Sequence, residues 1–131
     1  MKTTFFISMI LALLAGSLAA CQPSAEPIRI SEQDAGRTIT LKSGDILLVE
    51  LGGDITTGFN WIPAPQDPVL LNQIGEPEVT PESNLVGAPG RIALQFKAVA
   101  QGQTLLHLDY KRSWETGVPP VKTFEVTVVV R

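Results

Sequence analysis

The sequence predicts an all-β protein, an immunoglobulin-like β-sandwich of about seven antiparallel strands. Two observations carry that prediction. From Pro27 onward, apolar residues recur with a period near two, which sends alternate side chains to opposite faces of a strand. Ten of the 11 glycines and nine of the 10 prolines fall in this stretch and punctuate its runs at short intervals, and no long helical period follows the first twenty or so residues. A small barrel is the alternative closure of the same strands.

The chain opens with a segment of different character. Met1 and Lys2 precede an apolar run from Phe5 to about Ala15 and then small residues, the layout of a secretory signal peptide. Roughly a dozen apolar residues fall short of the about 20 that a membrane-crossing helix needs. The run closes on Leu18-Ala19-Ala20-Cys21, which resembles the bacterial lipobox. That resemblance implies a signal peptide over residues 1–20, cleavage before Cys21 and a diacylglyceryl thioether on its thiol. It also implies a place in the bacterial cell envelope, facing the periplasm or the surface. Gln22 is not an aspartate, so the outer membrane is the looser inference. Residues 21–30 then read as a lipidated tether, polar and proline-rich from Gln22 to Pro27, and residues 31–131 as the domain.

The strands follow in order. Arg37–Leu41 comes first, then the turn residues Gly44-Asp45, then Ile46–Leu51, with Leu47, Val49 and Leu51 on one face. Phe59–Ile62 is short, and Phe59 and Trp61 share its inward face. The stretch from Ala64 to Pro81 is proline-rich and weakly patterned; Leu70–Ile74 reads as either a short turn of helix or a strand. Arg91–Ala100 carries the row Ile92, Leu94, Phe96 and Ala98. Across a Gln101-Gly102 turn, Gln103–Tyr110 carries Leu106, Leu108 and Tyr110. Lys122–Val130 supplies Phe124, Val126, Val128 and Val130.

Composition removes several functions. Cys21 is the one cysteine, so internal disulfides, cysteine-rich metal sites and a catalytic thiol are excluded. His107 is the one histidine; it lies on the face opposite Leu106 and Leu108 and reads as a solvent-facing strand residue. Glu76, Glu78 and Glu82 flank prolines in a solvated segment, so no paired acid–base chemistry is indicated. Loss of Lys2 with the signal leaves nine basic against 13 acidic side chains, net −4, with no basic run for nucleic acid. We expect a monomer that is not an enzyme and needs no cofactor or metal.

Three segments at strand reversals carry more specific information. They are Gly53-Asp54-Ile55-Thr56-Thr57-Gly58-Phe59-Asn60-Trp61, Leu85-Val86-Gly87-Ala88-Pro89-Gly90 and Tyr110-Lys111-Arg112-Ser113-Trp114-Glu115. In a seven-stranded sandwich, three alternate loops gather at one end. Each segment alone has a plainer reading: a turn, a flexible connector, and a tryptophan folded back on the core.

Together, and in this order, they resemble the chagasin family of inhibitors of papain-like cysteine peptidases. The family pattern is Asn-Pro-Thr-Thr-Gly-aromatic-x-Trp, then Gly-x-Gly-Gly, then Arg-Pro-Trp or Arg-Pro-Phe. Thr56, Thr57, Gly58, Phe59 and Trp61 match the first motif, Gly87 and Gly90 the second, Arg112 and Trp114 the third. The resemblance runs from about Arg37 to the C terminus. It implies that Thr56-Thr57-Gly58 lies over the catalytic cysteine of a papain-like peptidase. Gly87, Ala88, Pro89 and Gly90 would touch one wall of the groove, and Trp114, supported by Arg112, the other. Asp54-Ile55 stands where the family has Asn-Pro, Pro89 replaces a glycine and Ser113 a proline. The first loop therefore lacks the stiffening of a proline's fixed φ. The alternative is a non-inhibitory envelope binding module that uses the same loop end for another protein or a glycan.

Overall fold

The computed structural model describes residues 25–54 and 56–131. The predicted signal peptide, Cys21 with its lipid, the first residues of the tether and Ile55 lie outside them.

Among the described residues, eight strands build two four-stranded sheets. They are β1 (Ile28–Ser31), β2 (Thr38–Leu41), β3 (Ile46–Gly53), β4 (Phe59–Pro63), β5 (Leu71–Pro81), β6 (Gly90–Ala98), β7 (Gly102–Arg112) and β8 (Lys122–Val130). A single 3-10 turn, Glu32–Asp34, follows β1. The first sheet has the order β1-β3-β6-β5 and the second β2-β8-β7-β4. The four apolar rows expected to face inward are all buried, and they form one core with Ile30, Leu41, Trp61, Leu70 and Leu71. The core residues among those described run from Ile30 to Val130, and the chain from Gln22 onward holds them all.

Three features differ from the sequence reading. The strands number eight, and two edge pairs, β1 with β3 and β2 with β8, run parallel. Chain direction explains this. β1 rises in one sheet, β2 descends in the other and β3 rises again, so β1 and β3 meet in the same sense. Second, β1 begins at Ile28, inside the stretch assigned to the tether, and buries Ile30. Third, the weak stretch holds an 11-residue edge strand, β5, whose register shifts between Ile74 and Glu78 around Gly75-Glu76-Pro77.

The topology gives the sandwich two distinct poles. At one, β3 turns into β4, β5 into β6, and β7 into β8. At the other lie the turn after β2, the β6–β7 turn and the start of β1, where Ile28 sits opposite Leu47. The chain thus enters the fold at the pole away from the three loops.

Candidate functional site

The first loop leaves β3 at Gly53, the last rung of the β3–β6 ladder, where its partner is Gly90. Neither glycine has room for a side chain. A Cβ on Gly53 would stand 2.8 Å from Cδ1 of Ile92 and 3.0 Å from Cε2 of Tyr110, and one on Gly90 would stand 2.9 Å from the Thr80 carbonyl oxygen. Beyond Gly53, the Tyr110 hydroxyl holds both sides of Asp54. It accepts from the Asp54 N–H at 2.7 Å and donates to the Asp54 carbonyl at 3.1 Å. The Asp54 carboxylate then accepts from the Thr56 hydroxyl and, at 2.9 Å, from the Thr56 N–H. These two donors hold Asp54 below the usual carboxylate range. The Thr57 hydroxyl donates to the Asp54 carbonyl at 3.3 Å. A side chain thereby supplies the order that a proline was expected to give.

The third loop packs directly on the first. Trp114 is 67% exposed, so it does not fold back on the core. Its ring edge covers Gly58, whose φ of +83° lies in the left-handed region. A Cβ on Gly58 would overlap Cη2 of Trp114 and stand 3.1 Å from Cζ2 and Cζ3. Arg112 ties the two loops chemically. Its Nε donates to the Thr57 carbonyl at 2.9 Å, its Nη1 to Glu115 at 2.9 Å, and its guanidinium lies 4.4 Å from the centre of the Phe59 ring. Phe59 stacks on Tyr110 at 5.2 Å, and Tyr110 packs on Trp61 at 5.1 Å. Trp61 is buried, as expected, and its indole N–H donates to the Gly52 carbonyl at 3.1 Å.

The second loop stands apart. It is closed by Glu82 N–H donating to the Pro89 carbonyl at 3.1 Å and by Ala88 N–H donating to Leu85 at 3.1 Å. Gly87 takes φ +80° with open space around it. Val86 is fully open to solvent and Leu85 largely so, whereas Gly90 is buried as the first residue of β6. A cleft of about 330 Å³ separates this loop from the first, lined by Gly53, Asp54 and Thr56 on one side and by Leu85 to Ala88 on the other.

Of the residues singled out from sequence, Thr56, Thr57, Gly58, Gly87, Ala88, Pro89, Arg112 and Trp114 therefore all sit at one pole. Arg112 acts inward as a brace. Sequence reasoning missed the roles of Asp54 and Tyr110. The signal for Tyr110 was its position, a hydroxyl-bearing aromatic at the loop end of an inward row. His107 lies half-buried on the outer face, as expected, but between carboxylates: Nδ1 is 2.9 Å from Glu125 and Nε2 2.8 Å from Asp109.

Three loops thus gather at one pole of an immunoglobulin-like sandwich, with small residues at the tip of the first and an exposed tryptophan on the third. The comparisons identify the family. The family model described as "Chagasin family peptidase inhibitor I42" matches residues 40–128, and the chain belongs to that family. The members of this family are inhibitors and not enzymes. Among known relatives, Amoebiasin-2 of Entamoeba histolytica is 29% identical over 103 residues, covering 78% of this chain and 84% of the relative. The crystal structure of the cysteine protease inhibitor EhICP2 from Entamoeba histolytica is 24% identical, with a TM-score of 0.68 over 79% of this chain and 95% of that one. PbICP-C, solved in complex with falcipain-2, is 17% identical, with a TM-score of 0.54 over 79% of this chain and 99% of that one.

Proposed function

We propose that this protein is a reversible inhibitor of papain-like cysteine peptidases that wedges its three-loop pole into the active-site groove. The observation that carries the reading is the packing of Trp114 on Gly58 and of Arg112 on Thr57, which makes the first and third loops one body. The solved complex of PbICP-C with falcipain-2 supports a papain-like peptidase as the class of partner. The tip, Thr56-Thr57-Gly58, has only small side chains, so its backbone can approach a catalytic thiol closely. Trp114 is the anchor on one wall, and Leu85, Val86 and the Gly87–Pro89 backbone face the other. Close approach of the backbone is enough to cover the thiol without any covalent step, so blockade is steric. Loops fixed at both ends lose little entropy on docking, which favours tight binding without a covalent bond.

The test uses the chain from Gln22 to Arg131. Titrated against papain, it inhibits reversibly, and Trp114→Ala weakens inhibition by an amount typical of a buried aromatic anchor, about 2–4 kcal/mol. Absence of inhibition at micromolar protein refutes the function; an unchanged Trp114→Ala variant refutes the wedge.

We also propose that Cys21 carries a lipid and holds the protein at the cell envelope. The Leu18-Ala19-Ala20-Cys21 sequence supports this, and so does the polarity of the fold, since a tether joined at Ile28 leaves the loop pole pointing away from the membrane. Mass spectrometry of the membrane-bound form should give Cys21 as the modified first residue. Cys21→Ser should release the protein; if it stays in the membrane fraction, the anchor lies elsewhere.

A further inference from the structure

We infer that Glu32, reaching across Gly52 to Arg91, is a positioning latch that sets the bases of the first two loops; as a statement about inhibition, this rests on the function proposed above. Glu32 lies in the 3-10 turn after β1, before the segment that the family model matches. Its carboxylate spans two strands. Oε1 accepts from the Gly52 N–H and from Nη1 of Arg91 at 3.0 Å, and Oε2 accepts from Nη2 of Arg91 at 3.1 Å. Nη2 also donates to the Glu50 carbonyl at 2.8 Å.

Three facts make this more than a surface ion pair. First, the position is specific. Gly52 and Arg91 are register partners, and the next rung, Gly53 with Gly90, is where the first loop leaves β3 and the second enters β6. Second, the glycine leaves the carboxylate room to sit close. A Cβ on Gly52 would stand 3.3 Å from Oε1 of Glu32, so a side chain there would make the carboxylate shift by a few tenths of an ångström. Third, Gly53 and Gly90 add no side-chain contact to the backbone pairing of their own rung, and Glu32 joins both strands from outside, one rung away. The geometry is bidentate, which resists shear between the strands better than a single contact. Burial raises the carboxyl pKa of Glu32, but the Gly52 N–H and Arg91 outweigh it and keep the group ionised.

The latch would act on the lifetime of a peptidase complex by keeping the two loops aligned across their cleft. Glu32→Gln is the informative variant, because it keeps the shape and one acceptor for Gly52 while losing the charge. Arg29→Gln is the control, since Arg29 makes a comparable exposed ion pair with Glu50 at 2.8 Å, lower on the same sheet. On the free chain from Gln22 to Arg131, amide hydrogen exchange should quicken in Glu32→Gln at Asp54, Thr56, Glu82 and Ala88. Exchange at Glu115 and Val121, in the third loop, should not change. The rate of dissociation from papain should rise about two- to fivefold, the range open to an exposed ion pair. Arg29→Gln should move neither reading. If Glu32→Gln matches the wild type in loop exchange, or speeds exchange uniformly over the whole sandwich, the latch is refuted. If papain is not inhibited at all, the proposed function fails, and the exchange measurement still decides whether Glu32 holds the loops.

Discussion

Alanine at position 58 places one methyl group where two constraints meet. The backbone there has φ +83°, and an L-residue in that region costs roughly 1–2 kcal/mol. The methyl also occupies the space of the Trp114 ring edge. Trp114 is mostly exposed, so the ring can swing away without opening the core, and the folding cost stays near the backbone value. Binding loses more. A displaced Trp114 forfeits an anchor typically worth about 2–4 kcal/mol, or about 30- to 1000-fold in the inhibition constant. The assay pairs papain titration with urea unfolding for Gly58→Ala, Trp114→Ala and the double variant. If Gly58 acts by seating Trp114, the two changes are far from additive, and Gly58→Ala adds little once the ring is gone. Additive costs, or a Gly58→Ala variant that inhibits within threefold of the wild type, refute the reasoning.

Four further outcomes follow from the same contacts. Asp54→Ala should free the Thr56 amide and weaken papain inhibition, while Asp54→Asn, which keeps an acceptor, should retain most of it; inhibition constants and exchange at Thr56 check this. Tyr110→Phe leaves the Asp54 N–H without its acceptor and should cost about 1–3 kcal/mol in urea unfolding, with loss of inhibition. Thr104 is buried with a hydroxyl that makes no hydrogen bond, so Thr104→Val should raise stability by about 1 kcal/mol on the same assay. His107 has its pKa raised by Glu125 first, against opposing burial, and then by Asp109, with the Lys111 ammonium 3.9 Å from the same Asp109. Its contribution to stability is full below the unfolded histidine value near 6.5 and disappears as pH rises through the higher folded value. Urea unfolding from pH 5.5 to 8.5 should show that decline in the wild type and not in His107→Gln.

Legibility in the sequence tracked how one-sided each strand's burial is. β3, β6, β7 and β8 each bury one face against the other sheet, so alternation marked them and their inward rows. β5 was legible only in part, as a helical turn or a strand over Leu70–Ile74, because it is an edge strand with both faces largely wet past Leu71; its prolines and glutamates sit where no core demands an apolar residue. β1 escaped because it buries one side chain, Ile30, and because parallel pairing leaves no hairpin turn beside it. In the site, small and aromatic residues at strand reversals exposed the loops themselves. Their bracing was hidden, since Tyr110 meets Asp54 across 56 residues and Arg91 meets Glu32 across 59. Contacts of that span leave no period to read.

The three departures from the family pattern gain a common explanation once these braces are included. A proline after Asp54 would stiffen the first loop through its own φ. Here the Tyr110 hydroxyl fixes the Asp54 backbone on both sides, and the Asp54 carboxylate fixes Thr56. Ser113 gives up a proline beside an arginine that is already bonded to Thr57 and Glu115. Pro89 adds stiffness to the second loop, where only its carbonyl is used, so the missing N–H costs no bond. Rigidity has moved from backbone to side chains in the first and third loops and toward the backbone in the second. Loops held stiff lose little entropy on docking, which serves the proposed wedge as it would any other partner of this pole. The compensation predicts where the pole is most vulnerable: at polar side chains, which a change of one residue can disconnect.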